Sequence, residues 1–144
     1  MADPLVAHSD LEQFLVGWYR AALAALAVTH PVCDGVTVSN REPSSGPFPT
    51  KLLVIRNDGG PDTSLLTADR TVGLSVLAGT RENPKDAVDL ALIVHALRNQ
   101  IPAVAQGNPI AAVLESNGPY AVPEAQPRAR QYLTLTFSVV ATAL

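Results

Sequence analysis

At 144 residues the chain has the length of one domain, 1–144, and a domain of that size buries about 68–70% of its unfolded surface without metal or disulfide staples. The single cysteine, Cys33, excludes a disulfide within the chain, and a net charge of −3 without any basic run excludes tight gripping of nucleic-acid phosphates. Hydrophobic residues reach 47% while charged residues stop at 16%, against about 25% in an average domain. Either the composition is simply biased toward Ala and Val, or apolar surface is reserved for contact with other subunits.

Taken from the N-terminus, Met1 to Leu5 include an early acid, and the first basic residue is Arg20, unlike a secretory signal. The apolar stretch from Phe14 to Val28 is shorter than the ~20 residues that span a bilayer, and Arg20 interrupts it. It predicts a buried helix and no membrane partner. Ser9, Asp10, Leu11 and Glu12 have the form of a capping box with Ser9 as cap. Leu11, Phe14, Leu15, Trp18, Ala22 and Ala25 follow as one apolar stripe. His30 and Pro31 end this helix. Residues 36–38 predict a short strand, and 41–50, with three prolines and a glycine, predict a mobile loop.

The stretch 51–101 is the most regular. Strands are expected at 51–57 and 70–78, separated by Asp58, Gly59, Gly60 and Pro61, which suit a turn with positive φ angles. Asn83 as cap and Pro84 at the first helical position open a second helix, and Pro102 closes it. Asp86 and Asp89 sit in its first turns, where the helix dipole favours acids. Ala87, Leu90, Ala91, Val94, Leu97 and Ile101 form one stripe, and Val88, Leu92, Ile93 and Ala96 extend the apolar surface nearly all round. Such a helix is covered on both sides; the sheet supplies one cover, and the other must come from elsewhere.

Beyond it, strands are expected at 110–115 and 120–122 with a turn at 117–119 between them. Residues 132–139 alternate cleanly: Leu133, Leu135, Phe137 and Val139 point one way, and Tyr132, Thr134, Thr136 and Ser138 the other. The sum predicts an α+β domain, an antiparallel sheet of four to five strands with two main helices packed on one face and an opposite face rich in Thr, Ser and Gly.

Chemistry-bearing patterns are sparse. His8, His30 and His95 lie far apart and suggest no metal set, and His95 reads as a helix-surface or interface histidine. Cys33 would need a basic partner and a lowered pKa to act as a nucleophile, and reads instead as a small residue after the first helix. No catalytic, cofactor-binding or metal residue is expected. The exception to the poverty of charge is a group at strand ends and in the 57–70 loop: Arg56, Asp58, Asp62, Asp69, Arg70 and Arg81. These are either solvated loop ends or complementary charges across a subunit contact. On the second reading Arg56, Asp58, Asp69, Arg70 and Arg81 are the candidate interface residues.

The order of these pieces resembles the tail terminator proteins of long-tailed actinobacteriophages. The resemblance rests on the N-terminal amphipathic helix, Lys51 to Pro61 (Lys-Leu-Leu-Val-Ile-Arg-Asn-Asp-Gly-Gly-Pro), Val72 to Ala78, Thr80-Arg81, and Ala87 to Ala91 on a helix. Gly118 to Val122 and the alternating C-terminal strand complete it, so it covers most of the chain through short motifs. The resemblance implies a non-enzymatic virion protein: a homo-oligomeric ring, hexameric, at the head-proximal end of the tail tube. Such a ring ends tube polymerisation, docks the head–tail connector or stopper protein, and contacts the major tail tube protein. It would let DNA pass through its lumen without specific binding. A neighbouring connector (stopper or adaptor) and, from another class, a small ligand-binding α+β domain are the alternatives.

Overall fold

Two helices and a five-stranded sheet enclose the core in the computed structural model, which describes residues 3–144. The elements are β1 (Val6–Ala7), α1 (Leu11–Leu26), β2 (Thr37–Ser39), β3 (Leu52–Gly59), β4 (Thr67–Ala78), α2 (Lys85–Ala96), β5 (Ile110–Val122), β6 (Ala129–Val140) and β7 (Thr142–Ala143). The main sheet has the order β2-β3-β4-β6-β5, and β1 pairs with β7 in a separate two-stranded antiparallel sheet.

The α+β class and the two helices agree with the sequence; the all-antiparallel sheet does not. β2 runs parallel to β3, with Val38 opposite Leu53, so the sheet is mixed. Parallel neighbours need a crossover of about a dozen residues, and the proline-rich segment 40–51 has that length. The remaining ladders are antiparallel.

The period of two in β6 places Leu133, Leu135, Phe137 and Val139 in the core, as their alternation predicts. Across the ladder they join Leu53 and Ile55 of β3 and Val72, Leu74 and Val76 of β4. Both helices pack into this same cluster. In α1 the buried line is Leu11, Leu15, Tyr19 and Leu23, an i, i+4 row. The expected stripe is therefore rotated: Phe14, Trp18 and Ala22 lie at its margin and Ala25 is exposed. Tyr19 is fully buried, and its hydroxyl donates to the Val94 carbonyl of α2 at 3.0 Å, tying the two helices together. In α2 the buried row is Ala87, Leu90, Ala91 and Val94. Part of its second side is covered by the chain itself, since Val32 and Ile93 both pack on the core, while Leu92 remains half exposed.

The start of α1 departs from the capping box. Asp10, not Ser9, is the cap, accepting from the Gln13 amide at 3.1 Å. Glu12 turns outward to the sheet instead, where it accepts from the Asn57 amide at 2.7 Å and the Asn40 side chain at 3.1 Å. A tertiary bond to two otherwise free donors outcompetes the local one. Glu12→Ala is expected to lower stability by about 1 kcal/mol, with Glu12→Gln retaining more than half of it, measured by urea unfolding.

At the other helix Pro84 takes the cap position without a side-chain bond, while the Asn83 amide donates to Thr80 Oγ1 at 3.0 Å. Strand β5 is also read differently by the fold. The expected turn at 117–119 is absent; the chain runs extended from Ile110 to Val122, with register shifts at 110/112, 113/115 and 117/120 that absorb Gly118 and Pro119 as a bulge.

Candidate functional site

The face of the sheet opposite the helices is lined largely by polar side chains. Alternation brings Val54, Arg56 and Asp58 from β3, Asp69, Thr71, Gly73 and Ser75 from β4, and Arg130 to Ser138 in steps of two from β6 onto it. Thr71 and Thr136, opposite each other in the ladder, share a hydroxyl hydrogen bond at 3.0 Å. Tyr132 lies across Gly73: a Cβ added there would come within 2.5 Å of the tyrosine hydroxyl and 3.2 Å of the Asp58 carboxylate. A glycine is therefore what lets the ring lie flat against the strand. The ring meets Tyr120 edge-to-face at 5.9 Å.

Two hollows share this floor. One, about 240 Å³, runs between Asn40, Arg41 and Glu42 and the floor residues Arg56, Gly73 and Tyr132. The other, about 540 Å³, lies beyond Arg130 toward Tyr120, Val122 and Glu124. Arg130 stands between them in a carboxylate clamp, 2.6 Å from Glu42 and 2.6 Å from Glu124. Burial works against the Arg130 charge, but the bonds to Glu42 and Glu124 prevail and hold its pKa above the ordinary value. Burial likewise works against the Glu124 carboxylate, and the Gln126 and Ala125 amides together with Arg130 bring it below the usual range. Beside the clamp Arg128, 8% exposed, donates to the Pro49 carbonyl at 2.7 Å and covers the Phe48 ring at 5.4 Å. The segment 41–50, expected to be mobile, is thus pinned near both ends by Arg130 and Arg128.

The sequence-derived interface residues do not form one site. Arg56 and Asp58 pair on the open face at 2.8 Å, and that bond and charge push the Arg56 pKa up. Asp69 is near them on the same face, opposite Ser138. Arg70 points to the helix side, where it donates to the Gly60 carbonyl at 2.8 Å and bonds Asp62 at 3.0 Å. Arg81 is exposed past the far end of β4, separated from Asp69 by a strand length on the order of 30 Å. Asp86 and Asp89 line different hollows, and Asp89 pairs with Lys85 at 3.1 Å. Cys33 is buried, and burial pushes its thiol pKa up, away from reactivity. Gly59, the last residue of β3, and Gly60 after it have φ of +86° and +156°, and the Gly60 carbonyl is held by Arg70.

His95 sits between α2 and β5. Arg98 donates to its Nδ1 at 3.2 Å, which makes Nε2 the protonated nitrogen facing Ser116 Oγ at 3.3 Å. Burial first, then the Arg98 charge, lower its pKa from 6.5. The folded state thus takes its proton later than the unfolded chain on acidification, so stability falls as pH drops below about 6.5. His95→Gln is expected to flatten the pH 7 to 5 slope of urea-unfolding free energy; an unchanged slope would assign it to another group.

Tyr132, Arg128, Arg130, Glu42 and Glu124 were not singled out by the sequence. The available signal was two arginines at alternate positions opening a strand, shortly after a glutamate, in a chain poor in charge. Among the described residues no three His, Cys, Asp or Glu side chains converge as a metal set, and no helix is long and apolar enough to cross a membrane. No protein-family model matches the chain, and no curated protein matches it. The arrangement offers hydroxyls, aromatic faces and internally paired charges: chemistry suited to wet contacts and to lining a surface.

Proposed function

We propose that the protein is a structural subunit of a phage tail, a tail terminator that assembles as a hexameric ring at the head-proximal end of the tail tube. In this reading it ends tube polymerisation, joins the major tail tube protein to the head connector, and works without catalysis. The proposal starts from the sequence resemblance, and one observation supports it most. Of eleven large hydrophobic side chains left exposed among the described residues, six (Leu5, Leu65, Leu66, Val104, Val140 and Leu144) gather at one end of the sheet. Backbone bonds from Ala141 to Leu66, from Leu144 to Leu5 and from Val140 to Pro109 hold them together. Apolar groups gathered this way mark contact surfaces. The open face with Thr134, Thr136 and Ser138 then lines the lumen, with Arg56 and Arg130 already engaged by carboxylates, so that DNA slides past instead of being gripped.

Virions carrying this chain, labelled with an antibody against it and viewed by electron microscopy, test the proposal. Label confined to the neck, and tubes of uncontrolled length when the gene is deleted, are the expected results. Label elsewhere overturns it, and label on tailless heads assigns the chain to the connector side as a stopper or adaptor.

A further inference from the structure

Arg128 and Arg130 stand two residues apart where β6 starts, and the fold treats them differently. Arg130 has two carboxylates, Glu42 and Glu124, each at 2.6 Å. Arg128 is only 8% exposed, yet among the described residues it has no carboxylate partner. Its acceptors are both neutral, the Pro49 carbonyl at 2.7 Å and the Gln126 side-chain oxygen. Most of its guanidinium hydrogens thus find no acceptor in the chain, whereas a buried charge is ordinarily paired.

Phe48 departs from the rule in the opposite sense. It is a large aromatic left 40% exposed, with Arg128 over its ring at 5.4 Å. Both side chains belong to the wall of one hollow of about 550 Å³, together with Pro49, Thr50, Thr80 and Pro127. Sites for small molecules run to about 300–1,000 Å³ and combine apolar walls with a few polar groups that converge. Here the rings of Phe48, Pro49 and Pro127 supply the apolar walls and Arg128 the anchor. Past Arg41, the polar ties of segment 41–50 to other elements are those of Glu42 and the Pro49 carbonyl. The wall from Phe48 to Thr50 can therefore shift onto a guest.

The charges nearby narrow the class of guest. Lys51 also lines the hollow, but its ammonium donates to the Pro31 and Asp34 carbonyls. Asp86 stands in the wall, Arg81 and Glu82 follow Thr80 as exposed residues, and the clamp on Arg130 holds one carboxylate more than it has arginine. These surroundings are close to neutral, which disfavours a doubly charged phosphate. A carboxylate carries a single charge, and its two oxygens match one edge of a guanidinium through parallel bonds.

We infer that this hollow is a binding site for a carboxylic acid with an apolar, ring-sized body, its carboxylate on Arg128 and its body against Phe48 and Pro127. Such a guest gives the buried guanidinium the partner that the chain withholds, and it covers the exposed ring. The site is independent of the assembly proposed above and holds whether or not the chain forms rings.

Titration of phenylacetate into the protein, followed by amide NMR, tests it. Saturable shifts confined to the surroundings of Phe48, Thr80 and Arg128 are expected, with the uncharged phenylacetamide binding at least about tenfold more weakly. Phe48→Ala, at an exposed position, is expected to weaken phenylacetate binding about fivefold with the fold intact. Arg128→Lys keeps the charge and removes the fork, and should bring acid and amide within about threefold of each other. Acetyl-alanyl-phenylalanine with a free carboxylate separates the two sources of the group: tighter binding than phenylacetate assigns the site to a chain end, weaker binding to a free acid, and either result upholds it. Shifts that do not saturate, equal binding of acid and amide, or undiminished discrimination by Arg128→Lys overturns the inference. Tighter binding of phenyl phosphate overturns the choice of carboxylate.

Discussion

Tyr19→Ala is expected to lower the unfolding free energy by about 3–5 kcal/mol, the range for removing a large buried aromatic side chain. Domains of this kind are stable by only about 5–15 kcal/mol, so the variant sits near the edge of folding at 37 °C. The reason is position. Tyr19 has no exposed surface, lies midway along the buried row of α1, meets Trp18 edge-to-face at 5.2 Å, and reaches α2 through the Val94 carbonyl. Tyr19→Phe keeps the ring and loses only the bond between helices, at a cost of about 1 kcal/mol. Burial also pushes the phenol pKa far up, so the hydroxyl stays a donor throughout the accessible pH range. Urea unfolding of both variants separates the packing contribution from the polar one. If phenylalanine proves as damaging as alanine, the bond and not the burial holds the helices in place.

Arg130→Ala is expected to cost about 3 kcal/mol at pH 7. Removing one member of a buried charge group leaves the others unpaired, typically at 3–5 kcal/mol, and the lower end applies because Glu42 remains partly in water. Glu124, only 10% exposed, is the residue left stranded. The pH dependence follows from the direction of its shift. Its folded pKa lies below the unfolded value near 4.3, so the clamp's contribution is complete above that value and is lost as pH falls through the folded pKa. The gap between wild type and Arg130→Ala should therefore narrow from pH 7 toward pH 3. A constant gap across that range would mean the arginine acts through packing alone. Limited proteolysis supplies a second check, since loss of Arg130 frees the Glu42 end of the 41–50 segment and should speed cutting there.

What the sequence disclosed depended on whether an element's neighbours leave a trace in its own residues. Strand β6 was legible because one of its faces is wet, so Leu133 to Val139 alternate with Tyr132 to Ser138. Helix α2 announced its start through Asn83 and Pro84, although proline and not asparagine takes the cap. The direction of β2 was not legible, because a three-residue strand carries no mark of whether its partner is parallel; that is decided by the length of the 40–51 crossover. Residues 117–119 carry a turn's chemistry, yet β6 pairs with Asn117 and again from Tyr120 and keeps the strand continuous. Trp18 drew attention away from Tyr19 because both lie near one stripe, and only the second helix decides which faces inward. The clamp was hidden for a related reason: Glu42, Glu124 and Arg130 come from three segments, and no spacing within one of them reports the meeting. The candidate interface charges were visible as a group, but the fold distributes them over both ends and both sides of the sheet.

Strand β5 forms one long border of the sheet, and its three register shifts leave no unbroken ladder longer than three residues, as at Glu115–Asn117 and Tyr120–Val122. Fibre-forming zippers draw on six or seven consecutive residues in regular extension. A border so often interrupted is a poor template for another backbone. Amyloid-type stacking along this border is thus disfavoured by the backbone's own irregularity, even though Leu114 and Tyr120 stand exposed on it.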